Sequence, residues 1–133
     1  MTDEQERDVW GDYNALDLAL AKALAPVKGW RVLDAGEGAA YFTTSREWVS
    51  ACLVVGSHEQ FVEIPLFTAS VDACLDVLPE DYAVYSERDS VVGIYRSSIW
   101  ADIAGGDTWL GIGATRAEAL AHAVLAWARA RQP

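Results

Sequence analysis

Lysine is nearly missing from this chain, with two copies, Lys22 and Lys28, in 133 residues. The eight arginines are scattered, and 20 acidic against 10 basic residues give a formal charge of −10. Phosphate backbones are held by grouped Lys and Arg that displace counterions. The sequence therefore argues against direct nucleic-acid binding and against attraction to an anionic membrane surface. Two cysteines, Cys52 and Cys74, are too few for a disulfide framework and lack metal-ligand spacing. They read as small buried hydrophobes in a reducing compartment. No apolar run approaches the ~20 residues that span a bilayer. The opening, Met1 to Asp12, is acidic and has no apolar core of the kind a secretory signal requires. These absences predict a protein of the cytoplasm.

The length fits one domain and is short for two. A chain of this size buries roughly two-thirds of its unfolded surface, enough for a core without staples. With 52% hydrophobic and 23% charged residues it is composed as a globular protein, not a disordered one. Six tryptophans supply large core anchors, with one or two left for an interface.

Thr2 and Gln5 form a possible capping box, and Asp3, Glu4 and Glu6 suit a helix N-terminus. Val9, Tyr13, Leu16, Leu20, Ala23 and Val27 follow at spacings of four and three, which predicts a helix to about Ala25. Pro26 is expected to stop it. Gly11 is its weak point, and Asp12 could recap there to leave two shorter helices with a bend. Short β-prone runs follow at Trp30 to Ala35 and Ala40 to Thr44, around a Gly36-Glu37-Gly38 turn. Trp48 to Val55 reads as a strand by its β-branched content, with a short helix capped by Ser45 as the alternative. Ser57 to Gln60 reads as a turn and Phe61 to Ile64 as a strand ending at Pro65.

A helix then starts at Thr68 or Ser70, with Val71, Cys74, Leu75 and Leu78 on one face and Pro79 closing it. Strands are predicted at Tyr82–Ser86, Ser90–Arg96, Ser98–Ala104 and Thr108–Gly113, with turns at Glu87–Asp89, near Ser97, and at Gly105–Asp107. Such short connections allow only an antiparallel meander. The closing helix, Arg116 to Arg131, has Thr115 as cap and Glu118 three residues on. Ala117, Leu120, Ala121, Val124, Leu125 and Ala128 make its apolar stripe, with Glu118, His122 and Arg129 opposite. Val91, Val92, Ile94 and Tyr95, and Ile99, Trp100, Ala101 and Ile103, are apolar without alternation. That pattern predicts cover on both sheet faces. The fold class expected is α+β: a three-layer α/β/α sandwich around an antiparallel sheet, in one domain. Residues 1–65 form its N-terminal helix and β-rich middle, and residues 66–133 its α-β-meander-α core.

Some of these residues resemble the phage ABA sandwich domain family. The run Pro65-Leu66-Phe67-Thr68-Ala69-Ser70-Val71-Asp72-Ala73-Cys74-Leu75-Asp76-Val77-Leu78-Pro79 is similar to its short signature, in which an aromatic and a Ser/Thr open a helix before an Ala and a Leu. Gly113-Ala114-Thr115-Arg116-Ala117-Glu118-Ala119-Leu120-Ala121-His122-Ala123 is similar to its second signature, a Thr capping an Ala-rich closing helix. Asp17-Leu18-Ala19-Leu20-Ala21 followed by Gly29-Trp30 looks like its opening. The resemblance implies an α/β/α sandwich encoded by a phage or prophage, and it implies no catalytic residues.

Catalytic chemistry finds little support. His58 and His122 have no second His or Cys at ligand spacing, so no metal is expected. Gly56-Ser57-His58-Glu59 contains the residue types of a triad, but neighbours in one turn do not preorganise one. The glycines at 36, 38, 105, 106, 111 and 113 match neither a dinucleotide fingerprint nor a P-loop and read as strand or turn glycines. The acids Asp3, Glu4, Glu6, Asp8, Asp12 and Asp17 read as a solvated helix face. The expectation is a non-enzymatic protein without cofactor. In the leading reading, a phage-borne acidic domain in the host cytoplasm binds a protein complex with a basic surface. It would occupy the nucleic-acid-binding surface of a host defence complex, as anti-CRISPR proteins do. Asp3, Glu4, Glu6 and Asp8 would make the contact, with Trp10 as aromatic anchor. The alternatives are a sponge for a nucleotide signal, with Arg88 and Arg96 as the strand-region cations, and an immunity protein against a basic toxin.

Overall fold

Asn14 sets where the first described helix begins. The structure, a computed structural model, describes residues 13–34, 41–101 and 106–131. Helix α1 runs Ala15–Lys28. The Asn14 side chain accepts from the Asp17 amide, and the Asp17 carboxylate accepts from the Asn14 amide at 2.9 Å, a complete capping box. Asn14 itself has extended backbone angles, so the continuous helix expected across this point is interrupted there. Its expected start, and the bend at Gly11, lie outside the described residues. The helix also outlasts the stop expected at Pro26. A proline in the last turn removes one amide from a stretch about to end anyway. Gly29, at φ +72, ends α1, and the amides of Gly29 and Trp30 both reach the Ala25 carbonyl.

The chain divides into two compact units, Met1–Leu66 and Phe67–Arg131. In the first, β1 (Arg31–Asp34), β4 (Ala51–Val55) and β5 (Gln60–Val62) form an antiparallel sheet in the order β1-β4-β5. The central strand, β4, is buried from Ala51 to Val54, as its unbroken apolar run requires. Leu20, Ala21, Ala23 and Leu24 of α1 are buried, and the Lys22–Asp34 ion pair at 2.8 Å ties helix to β1. Strands β2 (Tyr41–Phe42) and β3 (Trp48–Val49) form a separate short hairpin. The 48–55 stretch is therefore extended and not helical, but a bend at Ser50 splits the single strand expected there into β3 and β4, which belong to different sheets.

In the second unit, α2 (Val71–Asp76) is capped by Ser70, whose hydroxyl accepts from the Ala73 amide at 3.1 Å. The Cys74 thiol is buried and donates to the Phe67 carbonyl at 3.2 Å. The meander has three strands, β6 (Tyr82–Arg88), β7 (Tyr95–Ala101) and β8 (Thr108–Gly113), in the order β6-β7-β8. Four were expected, with a turn near Ser97. Ser97 instead lies buried inside β7, its hydroxyl 2.9 Å from that of Ser86 on β6. The turn falls between Asp89 and Ile94, where Gly93 at φ +71 reverses the chain. Val91, Val92 and Ile94, counted toward a strand covered on both faces, belong to this turn. The fold is α+β with antiparallel sheets, and the described residues form two three-stranded sheets and one two-stranded sheet where one central sheet was expected.

Candidate protein-binding surface

Helix α3 (Arg116–Ala130) follows β8 directly, with the Thr115 hydroxyl accepting from the Glu118 amide at 3.1 Å. Its expected stripe is buried, and Ala119, Ala123 and Trp127 are buried with it. This broad small-residue face sits on one side of the meander, over Ile99, Gly111 and Gly113, all buried. The approach is unusually close. A Cβ on Gly111 would lie 2.1 Å from the Ala119 carbonyl oxygen and 2.4 Å from the Ala123 nitrogen. One on Gly113 would lie 2.6 Å from the Ala119 nitrogen. Strand glycines at this spacing mark backbone passing against backbone. At one end the helix is locked aromatically. Trp127 Nε1 donates to the Tyr82 hydroxyl at 3.0 Å, the Arg131 guanidinium lies 4.9 Å from the Trp127 ring centroid, and Trp109 stacks on Tyr82.

Strand pleating sends alternate residues to the other face. By register that face presents Ala83, Tyr85 and Glu87 of β6, Arg96, Ser98 and Trp100 of β7, and Thr108, Leu110 and Ile112 of β8. Tyr85, Leu110 and Ile112 are 55%, 68% and 56% exposed. The β6–β7 turn adds Val91 and Val92, 90% and 61% exposed. Single exposed apolar residues are ordinary; here three share one sheet face, interleaved with Glu87, Arg96 and Ser98. The first unit has its own exposed aromatic pair, Phe42 and Trp48, with ring centroids 5.0 Å apart on the β2–β3 hairpin. Such rings give large contact area at small entropic cost.

The apolar turn is held by Asp89, whose carboxylate accepts from the Val91 amide at 2.9 Å and the Val92 amide at 3.3 Å. These backbone bonds, aided by the Arg96 charge, hold the Asp89 carboxyl below the usual carboxylate range. A carboxylate with a depressed folded pKa stabilises the fold above its unfolded pKa, and loses that contribution as pH falls through the folded value. The turn should therefore loosen at a pH below that at which an ordinary aspartate titrates. An NMR pH series on the Val91 and Val92 amides checks this. A midpoint at the ordinary aspartate value would mean that the turn bonds are not made.

The expected contact residues Asp3, Glu4, Glu6, Asp8 and Trp10 lie outside the described residues. His58 is exposed in the β4–β5 turn, and the neighbouring Glu59 carboxylate is engaged by Arg31 at 2.7 Å. His122 was expected on the solvent side of α3. It is partly exposed there, and with Leu125, Ala126 and Arg129 it lines an open groove of about 430 Å³ against Leu110, Gly111 and Ile112 of β8. Arg88 and Arg96 stand on opposite faces of the meander by register, so they do not converge on one phosphate. Among the described residues, no group of three or more His, Cys, Asp or Glu could hold a metal ion, and no helix is long and apolar enough to cross a membrane.

The open sheet face was missed in the sequence. Its signal was the strict alternation of Thr108, Leu110 and Ile112 with Trp109, Gly111 and Gly113, where glycines leave room for a helix on one side only. No family model, curated protein or solved structure matches the chain.

Proposed function

We propose that the protein is a phage-encoded, non-enzymatic binding protein that acts in the host cytoplasm by covering a basic surface of a host defence complex, in the manner of an anti-CRISPR protein. The observation that carries this reading is the exposure of Tyr85, Leu110 and Ile112 on one face of the meander, and of Val91 and Val92 in its β6–β7 turn, on a chain of charge −10. Acidic charge steers the encounter with a positive partner, and apolar residues at its centre supply the affinity. In this reading Asp3, Glu4, Glu6 and Asp8 contribute to steering, and Trp10 to anchoring.

The test is expression of the protein in a CRISPR-immune host challenged with a targeted phage. Plaquing should rise by orders of magnitude. Reversing Asp3, Glu4, Glu6 and Asp8 to Lys should reduce the gain, as should Leu110→Lys with Ile112→Lys. Unchanged immunity across hosts carrying different CRISPR types, with the protein folded and expressed, would count against the reading.

A further inference from the structure

We infer that the groove between the outer edge of β8 and the flank of α3 takes an extended peptide of another protein as a fourth strand, antiparallel to β8. The peptide's pattern is a cation, an apolar residue, a leucine, an apolar residue and an acid. This rests on β8 and α3 alone and does not depend on the proposed function. Among the described residues β8 pairs with β7 on one side only, so alternate residues turn their N–H and C=O outward. Thr108-Trp109-Leu110-Gly111-Ile112-Gly113 carries no charge, no proline and no bulge to blunt that edge. Helix α3 lies directly over the strand at Gly111 and Gly113. A second copy is barred there, because its own helix would meet this one. A single extended segment has no helix to collide, and the groove beside the edge, with Leu125 and Ala126 along it, is open.

The order of charges along the groove selects the occupant and its direction. Helix α3 returns along β8, with Glu118 beside Gly113, His122 beside Gly111, and Arg129 lining the groove beyond Leu125. Helical rise sets Glu118 and Arg129 about 16 Å apart along the axis. Among the described residues neither side chain makes a hydrogen bond or an ion pair. Four residues of extended peptide span about 14 Å, so its first and fifth side chains reach the two charges while the third meets Leu125 and Ala126. These three share one face of a strand, the face toward α3. A leading Lys and a closing Glu meet Glu118 and Arg129 only when the peptide runs antiparallel to β8. The second and fourth residues then fall beside Ile112 and Leu110, exposed on the open face, where apolar side chains match them. Strand addition of this kind draws affinity from the backbone and specificity from the alternate side chains.

Fluorescence anisotropy of the full chain with a labelled peptide, Lys-Val-Leu-Val-Glu flanked by serines, tests this. Binding is expected with a Kd of ~100 μM or tighter. Replacing the peptide's Glu by Lys should weaken binding about tenfold, and so should Arg129→Glu in the protein. The two changes together should recover most of the loss. Arg129 is exposed, so its variant should keep the wild-type circular dichroism spectrum. Bound peptide should also slow hydrogen exchange at alternate amides between Thr108 and Gly113, as pairing along this edge requires. No binding at ~1 mM peptide overturns the inference. So does binding that ignores Arg129→Glu, or that leaves exchange in β8 unchanged, and none of these results bears on the defence-complex reading.

Discussion

Gly111→Ala is expected to destabilise the protein by ~3 kcal/mol or more, a loss of about 10 °C in Tm for a chain of this size. The new Cβ would stand 2.1 Å from the Ala119 oxygen and 2.4 Å from the Ala123 nitrogen. Both are backbone atoms of α3, with no flexible end to swing aside. Relief requires the whole helix to rise off the sheet, separating Ala119, Ala123 and Leu120 from β8. Gly56→Ala is the control. Gly56 sits at φ +76 with open space around it, so the substitution carries only a left-handed backbone penalty of about 1 kcal/mol. Steric exclusion by a packed helix should therefore outweigh conformational strain about threefold. Denaturant unfolding of the two variants measures the ratio. Equal losses would mean that α3 does not lie as close to β8 as described.

Trp127→Ala is expected to cost about 4 kcal/mol. The side chain is 1% exposed and packs edge-on against Tyr82, with centroids 5.7 Å apart. Its removal opens a large void where α3, β6 and β8 meet and leaves Arg131 without the ring beneath it. Tyr82→Phe separates burial from hydrogen bonding. It keeps the rings and removes only the hydroxyl that accepts from Trp127 Nε1 and from Arg131, at about 1 kcal/mol. A Trp127→Ala loss no larger than that of Tyr82→Phe would show that the ring is not a core anchor.

The closing helix was legible in the sequence because its cap and stripe are local. Thr115, Leu120, Val124 and Ala128 occupy the expected roles. The stretch from Trp48 to Val55 was legible as extended chain because its apolar, β-branched run from Ala51 to Val54 is buried, but the bend at Ser50 that divides it into β3 and β4 left no mark in that pattern. The meander was harder. Val91-Val92-Gly93-Ile94 carries strand-forming side chains, yet Asp89 gives two of its amides a closer partner than any strand could, and Gly93 turns the chain. Propensity lost there to an aspartate turn. The first helix was legible from Ala15 onward, but Asn14 and Asp17 satisfy each other's amides and set a boundary that the apolar spacing runs through.

The open sheet face depended on knowing what α3 leaves uncovered, which follows from strand register, and register is not local. Its consequence is the proposed mode of action. Fluorescence anisotropy of labelled target DNA on purified CRISPR effector complexes, titrated with this protein over a salt series, tests that most directly. At low salt the DNA should be displaced, displacement should weaken steeply as salt rises, and Leu110→Lys with Ile112→Lys should abolish it. DNA that stays bound to every effector type tested, at saturating concentrations of folded protein, would contradict it.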